Sequence, residues 1–353
     1  MRRLEKLQQK GRRRILKDRI VTTLVVTLFM LTFVGVSAVA FFVLQGREFG
    51  GQRVTVTAPD QMVANELQFP IGVNPKQEMI VENPEVDTYF ETHILAKSGS
   101  GGRRMGWLSK VMGKLALMDW YQNLASASSR LLVIQPGERK EEIGAHFAKI
   151  LGWDAADRAL FIDTVTKALP VMEEGKFFPG RYVVPKGTDP ALVVDLILER
   201  FNAGVLSRYG TTTEAIVPMH DALTIASLLE REAYDFTDMR QIAGVIWNRL
   251  FIDMNLQIDA TLQYAKGSSP QEPWWPKVVP KDKYIESLYN TYENSGLPPA
   301  PIANPSLEAV LAALNPKKTD CLYYFHDRDA GFHCTSTYEE HVRLLKQYYG
   351  RGK

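Results

Sequence analysis

The strongest constraint on this chain is a run of 25 residues without a charged side chain, from Ile20 to Leu44. At about 1.5 Å of rise per residue, a helix of that length spans roughly 37 Å, which crosses a bilayer with some tilt. A secretory signal peptide is the competing interpretation, but its apolar region is usually only about 7 to 15 residues long. No small-residue cleavage pattern follows Phe42. The sequence therefore predicts a retained transmembrane helix, which places residues 20–45 in the lipid bilayer.

The residues before this run predict its orientation. The first 19 positions carry nine Lys or Arg side chains against Glu5 and Asp18. Basic segments beside a membrane helix stay in the cytoplasm, so residues 1–19 are expected there and the rest of the chain outside the inner membrane. Without this tail, 33 basic and 38 acidic residues remain, and the exported part is near −5 although the whole chain is +2. Nucleic acid is therefore not an expected partner, because phosphate binding needs positive charge on the folded part.

Beyond the membrane segment the chain divides into three parts, with an α+β fold class expected for the exported portion. Residues 46–129 carry weak signals and one amphipathic helical stretch, which packs on a neighbouring domain or lies on the membrane; its apolar positions are Trp107, Leu108, Val111, Met112, Leu115 and Met118. Residues 130–203 show a strand, helix, helix, strand order, followed by a further helix from about Leu192 to Phe201. Residues 204–353 hold the polar motifs.

Cysteine and histidine argue against a metal centre. The two cysteines, Cys321 and Cys334, exclude a four-thiolate metal site and a disulfide-stapled scaffold. They bracket a predicted hairpin, with strands at 322–325 and 332–335. In an oxidising compartment they could form a disulfide, and two buried free thiols are the alternative. The six histidines show no H-E-x-x-H or comparable ligand spacing, so neither a metal nor an organic cofactor is expected.

A helix predicted from His220 to Tyr234 carries two glutamates. At about 100° per residue, Glu230 and Glu232 point roughly 200° apart, so a regular helix cannot aim both into one cleft. Glu232 lies within the apolar arc of the helix, and apolar surroundings raise the pKa of a carboxyl, which then holds a proton as a general acid must. On spacing alone, surface glutamates paired with Arg231 or Arg240 are the simpler interpretation.

Several later motifs offer polar groups suited to a saccharide. The helix from Met239 to Leu250 leaves Asn248 and Arg249 free to bond, and alternating Met254, Leu256 and Ile258 predict a strand that turns Gln257 and Asp259 to its other face. Tyr289-Asn-Thr-Tyr292 and Gly296-Leu-Pro-Pro299 combine aromatic rings, amides and hydroxyls with a rigid loop. Structural packing, a tyrosine corner or a proline turn explains each residue equally well when it is taken singly.

Four separated segments carry a resemblance to a known family: LLEREAYDFTDMRQIAGVIWNRL, MNLQIDATLQYA, YNTYENSGLPPAPIANPSLEAVLAALNP and LYYFHDRDAGFHCTSTYEEH. In order and spacing they resemble the YceG-like (MltG) family of endolytic murein transglycosylases, and EGKFFPGRYVVPKG gives weaker support in the preceding part. The strand and helix order of residues 130–203 resembles LysM-type glycan-binding modules by topology. Residues 204–353 are then expected to be the catalytic domain.

The family resemblance implies roles for individual residues. Glu232 is the essential acid and Glu230 a supporting residue. The segment with Gln257, Asp259 and Thr261 borders the sugar groove, with Ala260 in place of the family's proline. Further substrate-binding positions are Asn248, Tyr289, Asn290, Thr291, Tyr292, Pro298 and His333, although Thr335 replaces the aromatic residue usually found two positions after this histidine.

The resemblance also implies a reaction. The expected substrate is the β-1,4 bond between N-acetylmuramic acid and N-acetylglucosamine in nascent peptidoglycan strands, with a 1,6-anhydro product and with penicillin-binding synthases as partners. Two alternatives stay open. One is a muramidase-type hydrolase in which Asp259 or Glu230 activates water, and the other is a noncatalytic scaffold that binds the wall through residues 130–203.

Overall fold

The computed structural model describes residues 68–81, 87–88, 129–267 and 273–350. The predicted cytoplasmic tail, the transmembrane helix and the amphipathic stretch at 107–118 lie outside these residues. Within the described ranges, no helix is both long and apolar enough to span a bilayer. Helices combine there with short antiparallel strand pairs, which confirms a mixed α and β architecture.

A short hairpin opens the described part of the chain. Strands β1 (Val73–Asn74) and β2 (Met79–Ile80) pair in antiparallel fashion around a 3-10 turn at Pro75–Gln77. This segment packs on the C-terminal half, because the Gly72 N–H donates to the Leu314 carbonyl at 2.8 Å and the Asn315 amide donates to the Pro70 carbonyl at 2.8 Å. This first hairpin therefore packs on the C-terminal half of the chain, although the next unit follows it in the described sequence.

The next unit has the predicted order of elements. Strand β3 (Ser129–Ile134) is followed by helices α1 (Lys140–Leu151) and α2 (Ala155–Lys167), and β4 (Gly180–Pro185) returns antiparallel to β3. Gly152 ends α1 in the left-handed region at φ 77°, and the Asp154 carboxylate caps the start of α2. Its core is built from side chains of both helices and both strands, among them Leu132, Phe147, Phe161, Phe177 and Tyr182. The strand and helix assignments for this unit are confirmed.

The C-terminal body is mainly helical. Helix α3 (Pro190–Gly204) leads into it, followed by α4 (Thr211–Ile216), α5 (Met219–Glu232), α6 (Phe236–Phe251), α7 (Asp259–Lys266) and α8 (Leu307–Leu314). Every residue of α8 from Ala309 to Leu314 is buried, and this helix packs on both α5 and α6. The buried apolar residues of α8 thus fix the positions of the two helices that carry the polar motifs.

A second hairpin and a last helix close the fold. Strands β5 (Tyr323–His326) and β6 (Phe332–Thr335) pair antiparallel, and helix α9 (Tyr338–Tyr349) is capped by Thr337, whose side chain accepts the Glu340 N–H. Cys321 and Cys334 form a disulfide bond across this hairpin. The structure thus confirms the hairpin and decides between the two predicted states of the cysteines.

The strand predicted at Met254 to Ile258 is wrong. These residues form an irregular connection between α6 and α7, and the backbone enters the left-handed region at Asp253 (φ 53°) and at Gln257 (φ 52°). A strand cannot run through these conformations. The N–H groups of Gln257 and Ile258 donate instead to the carbonyl and hydroxyl oxygens of Thr291, at 3.0 Å each.

Asn304 joins the strand and helix unit to the C-terminal body. Its side chain is fully buried, its amide oxygen accepts the N–H groups of Gly175 and Phe177, and its amide nitrogen donates to Glu174 at 2.6 Å. The buried Glu174 carboxylate also accepts the Lys140 N–H at 3.0 Å. One side chain therefore satisfies several buried polar groups of the neighbouring unit.

Candidate active site

Glu232 is the last residue of α5, where that helix meets α7 and the β5–β6 hairpin. Its Oε2 accepts a hydrogen bond from the Tyr324 hydroxyl at 3.0 Å. The backbone N–H of Ala260, in the first turn of α7, also favours its carboxylate. The free N–H groups of a helix N-terminus attract an anion, so the acid sits where its ionised form has partners once the proton is lost.

Burial dominates the proton affinity of this acid. Enclosure by protein raises the pKa of Glu232 above the ordinary glutamate value, and the negative charge of Asp259 raises it further. The Tyr324 hydroxyl, the Ala260 N–H and His326 act in the opposite direction. Because the raising effects exceed the others, Glu232 keeps its proton at a pH where an exposed glutamate is ionised.

Asp259 supplies the second carboxylate at this place. It is the exposed first residue of α7, and its Oδ1 accepts a hydrogen bond from the Tyr292 hydroxyl at 2.7 Å. Burial and this bond raise the pKa of Tyr292 well above its ordinary value. The structure therefore brings Glu232, Asp259 and Tyr292 together, and Asp259 and Tyr292 offer polar groups to a ligand beside the acid.

Glu230 points away from this place, as the helical geometry predicts. Its Oε2 accepts the Ser306 N–H at 3.0 Å and the Ser306 hydroxyl at 2.7 Å, at the start of α8. Burial raises the pKa of Glu230, and the two bonds from Ser306 lower it. Its observed role is to join α5 to α8, and it does not share a site with Glu232.

The predicted Asn290, Thr291 and Thr261 shape the loops around the acid. Asn290 is fully buried, and its amide donates to the carbonyls of Lys283 and Ile285 at 3.0 and 2.9 Å. The hydroxyls of Thr261 and Thr291 meet at 3.0 Å in the interior. These three side chains hold the 290–292 segment against the N-terminus of α7, while Gln257 is exposed beside them.

Asn248, Tyr289 and Pro298 have packing partners. The Asn248 amide donates to the carbonyls of Thr319 and Cys321 at 2.8 and 3.0 Å. The Tyr289 ring lies 4.8 Å from that of Tyr264, and Pro298 is buried. A part in substrate binding stays a prediction for these three residues.

The β5–β6 hairpin divides its side chains between two faces. Tyr324, His326 and Phe332 lie on the face near Glu232, where the Tyr324 and Phe332 rings stack at 5.9 Å and His326 Nε2 bonds to Asp238 at 2.9 Å. His333 lies on the opposite face, where it bonds to Asp327 at 2.7 Å and packs on Tyr348. The structure thus places His333 away from the acid, and its assignment to substrate binding stays a prediction.

Sequence reasoning missed Tyr324, His326 and Phe332. Period-two alternation on a predicted hairpin offers a signal, because residues 324 and 326 share a face and the paired strand adds residue 332. In the described part of the chain, no group of three His, Cys, Asp or Glu side chains is arranged to hold a metal ion. Chemically, the place offers one half-buried acid that can give and take a proton, with an exposed carboxylate and a phenol beside it.

Known proteins share these features of the sequence. Residues 96–347 match the YceG-like family. An endolytic murein transglycosylase of Bacillus subtilis is 36% identical over 195 residues, which are 53% of this chain and 52% of the relative. The endolytic murein transglycosylase of Streptococcus pneumoniae strain D39 is 33% identical over 193 residues, which are 52% of this chain and 35% of the relative. The chain thus spans about a third to a half of these relatives.

A solved structure agrees with this match. The crystal structure of a YceG-like protein from Listeria monocytogenes superposes with a TM-score of 0.53 at 28% sequence identity, covering 61% of this chain and 75% of that protein. The family match extends over more than half of the sequence and includes the helix that ends at Glu232. This chain belongs to the YceG-like family.

Proposed function

We propose that the protein is a membrane-anchored endolytic lytic transglycosylase that cuts the β-1,4 bond between N-acetylmuramic acid and N-acetylglucosamine in nascent peptidoglycan strands. One observation carries the proposal: a half-buried glutamic acid with a raised pKa, Glu232, ends a helix beside an exposed carboxylate, Asp259. The relatives from Bacillus subtilis and Streptococcus pneumoniae are endolytic murein transglycosylases, which supports it.

In the first half of the reaction Glu232 acts as a general acid. It protonates the oxygen between the two sugars while the bond from that oxygen to C1 of the muramyl residue breaks. The developing positive charge at C1 lies near the carboxylates of Asp259 and the newly ionised Glu232, and opposite charge stabilises it. The N-terminus of α7 stabilises the glutamate anion that results.

In the second half the same residue acts as a base. The Glu232 carboxylate takes the proton of the muramyl 6-hydroxyl, whose oxygen bonds to C1 and closes the 1,6-anhydro ring. No water is consumed and the acid is regenerated. A single glutamate suffices for both steps, which agrees with the separation of Glu230 and Glu232 on the two sides of α5.

The remaining parts of the proposal concern location and partners. We assign residues 20–45 to a transmembrane helix with residues 1–19 in the cytoplasm, residues 130–203 to a LysM-like glycan-binding module and residues 204–353 to the catalytic domain. The protein then works outside the inner membrane beside penicillin-binding synthases. Support comes from the charge pattern around the apolar run and from the order of elements β3, α1, α2 and β4.

Mass spectrometry of products from uncrosslinked peptidoglycan strands tests the proposal. We expect the purified protein to release fragments that end in 1,6-anhydro-muramic acid. Fragments heavier by one water molecule would indicate a muramidase-type hydrolase, with Asp259 or Glu230 as the candidate base. Strands that bind and stay intact would indicate a noncatalytic scaffold.

A further inference from the structure

The hydroxyl of Tyr324 contacts the proposed acid from a strand 92 positions further along the chain. It donates to Oε2 of Glu232 at 3.0 Å. Burial and the neighbouring Glu232 raise the pKa of Tyr324 well above its ordinary value, so the phenol keeps its proton throughout the working pH range. Tyr324 therefore stays protonated and donates its hydrogen bond to one oxygen of the acid, Oε2.

Donation to one oxygen decides where the acid carries its own proton. In a protonated carboxyl group one oxygen bears the hydrogen and the other is the carbonyl acceptor. Because Tyr324 donates to Oε2, the arrangement favours Oε2 as the carbonyl oxygen and Oε1 as the hydroxyl oxygen. When Glu232 ionises, the same bond becomes charge-assisted and stronger.

The ring of Tyr324 is held on two sides. Phe332 stacks on it with ring centroids 5.9 Å apart and planes inclined by 21°. His326 packs edge-on with centroids 6.3 Å apart, and Asp238 holds the imidazole through Nε2 at 2.9 Å. A hydroxyl on a ring fixed in this way is oriented before substrate arrives.

We propose that Tyr324 is a positioning residue that occupies Oε2 of Glu232, so that proton delivery and proton recovery both pass through Oε1. This inference rests on the proposed transglycosylase function. The proton leaves Oε1 for the leaving oxygen as the bond from that oxygen to C1 breaks. The 6-hydroxyl proton then returns to Oε1 as the 6-oxygen bonds to C1, and no further reactant is required.

The pH dependence of the reaction carries a signature of this role. The titratable groups that face Glu232 come from its own helix, the hairpin and α7 with its neighbouring loop: Arg231, Tyr324, His326, Asp259 and Tyr292. The bond from Tyr324 lowers the pKa of Glu232 against the larger effect of burial. Removal of the hydroxyl takes away one effect that lowers the pKa of Glu232, while burial and Asp259 still raise it. The acid therefore retains its proton to higher pH.

The test compares Tyr324→Phe with Tyr323→Phe in the full chain. Both variants lose one phenol oxygen from the same strand, but Tyr323 lies on the opposite face, where its ring packs on Tyr338 and His341. Turnover of uncrosslinked peptidoglycan strands is measured as a function of pH. For Tyr324→Phe we expect kcat to fall by about tenfold, KM to stay near the wild-type value, and the alkaline limb of the profile to move to higher pH. Tyr323→Phe should follow the wild type.

Two results would overturn the inference. One is a Tyr324→Phe enzyme with the wild-type rate and profile, and the other is a slower enzyme whose alkaline limb has not moved, since that indicates a packing defect. If the variant does not fold, site-specific 3-fluorotyrosine at position 324 keeps the ring and makes the phenol a stronger donor. The alkaline limb of the pH profile must then move to lower pH, and a limb that does not move refutes the positioning role of Tyr324. Wild-type protein without anhydro products would refute the proposed function itself.

Discussion

At the scale of single residues, two glutamates two positions apart on one helix have different environments. Glu232 meets Tyr324 and the N-terminus of α7, while Glu230 meets Ser306 at the N-terminus of α8. Both carboxyls are buried enough for desolvation to raise the pKa, so burial alone does not distinguish an acid catalyst from a structural link. The hydrogen bonds make the difference, because Ser306 occupies Glu230 at the start of α8 while Glu232 lies beside the exposed carboxylate of Asp259.

A first prediction concerns Asp259. Its negative charge raises the pKa of Glu232, so Asp259→Asn should lower that pKa and move the alkaline limb of the activity profile to lower pH. The direction is opposite to that expected for Tyr324→Phe. Profiles of activity against pH for the two variants, recorded with the same peptidoglycan strands, show whether their alkaline limbs move in opposite directions. If the alkaline limb of Asp259→Asn lies at or above the wild-type pH, the charge of Asp259 does not raise the pKa of Glu232, and the electrostatic interpretation is refuted.

A second prediction concerns Glu230. Glu230→Ala removes the acceptor for the Ser306 N–H and hydroxyl, and it should destabilise the fold by about 2 kcal/mol because two partly buried donors lose their partner. Urea unfolding measures the change, and turnover per folded molecule should stay near wild type. Glu308→Ala is the matched control, since Glu308 is an exposed acid in the first turn of α8. Lost turnover in a fully folded Glu230→Ala protein would contradict this assignment.

At the scale of elements, local sequence patterns predict the helices and the hairpin better than they predict the connections between elements. The helices from Met219 to Glu232 and from Phe236 to Phe251 follow from apolar periodicity, and the β5–β6 hairpin follows from two short apolar runs. The connection before α7 also alternates, but positive φ at residues 253 and 257 and bonds to Thr291 replace a strand. Those bonds join distant segments, so no local pattern could predict them.

The dependence on contacts between distant segments also explains how much of the candidate site could be predicted. Helical geometry separates Glu230 from Glu232 without any structure, and the family resemblance brings in Asp259 and Tyr292. Tyr324 reaches Glu232 only through the packing of the hairpin on α5 and α6, over 92 positions of sequence. A contact at that separation depends on the tertiary fold.

A third prediction concerns the disulfide that closes the β5–β6 hairpin. The bond between Cys321 and Cys334 spans 13 positions, and its loss should destabilise the fold by about 3 kcal/mol through the added freedom of the unfolded chain. Thermal unfolding of a Cys321→Ser, Cys334→Ser double variant measures this, with the wild type in reductant as a second test. Wild-type stability in both experiments would contradict the prediction.

At the scale of the whole molecule, the C-terminal body and the strand and helix unit meet through buried polar groups. Asn304 bonds to Gly175, Phe177 and Glu174, and Arg139 lies 4.2 Å above the Tyr264 ring with only 1% of its surface exposed. Buried polar contacts fix geometry because each unmatched group is costly. The junction therefore fixes the position of the strand and helix unit relative to the helix that ends at Glu232.

A fourth prediction tests this junction. Asn304→Ala leaves the N–H groups of Gly175 and Phe177 without their acceptor and removes one of the hydrogen bonds to Glu174, so unfolding free energy should fall by about 3 kcal/mol. Asn202→Ala, at an exposed position of α3, should lower it by less than about 0.5 kcal/mol. Denaturant titration of the two variants measures the difference. Equal stabilities would mean that the junction does not depend on Asn304.

The central claim is that Glu232 is the proton donor and acceptor of the reaction. The most direct measurement is the yield of anhydro-muramyl fragments from Glu232→Gln, a near-isosteric change that cannot give or take the proton, beside Glu230→Gln on the other side of the same helix. The account predicts a fully folded Glu232→Gln protein that releases fragments at least about a thousandfold more slowly than the wild type, with Glu230→Gln within about tenfold. A folded Glu232→Gln protein that still releases anhydro products at the wild-type rate would contradict it.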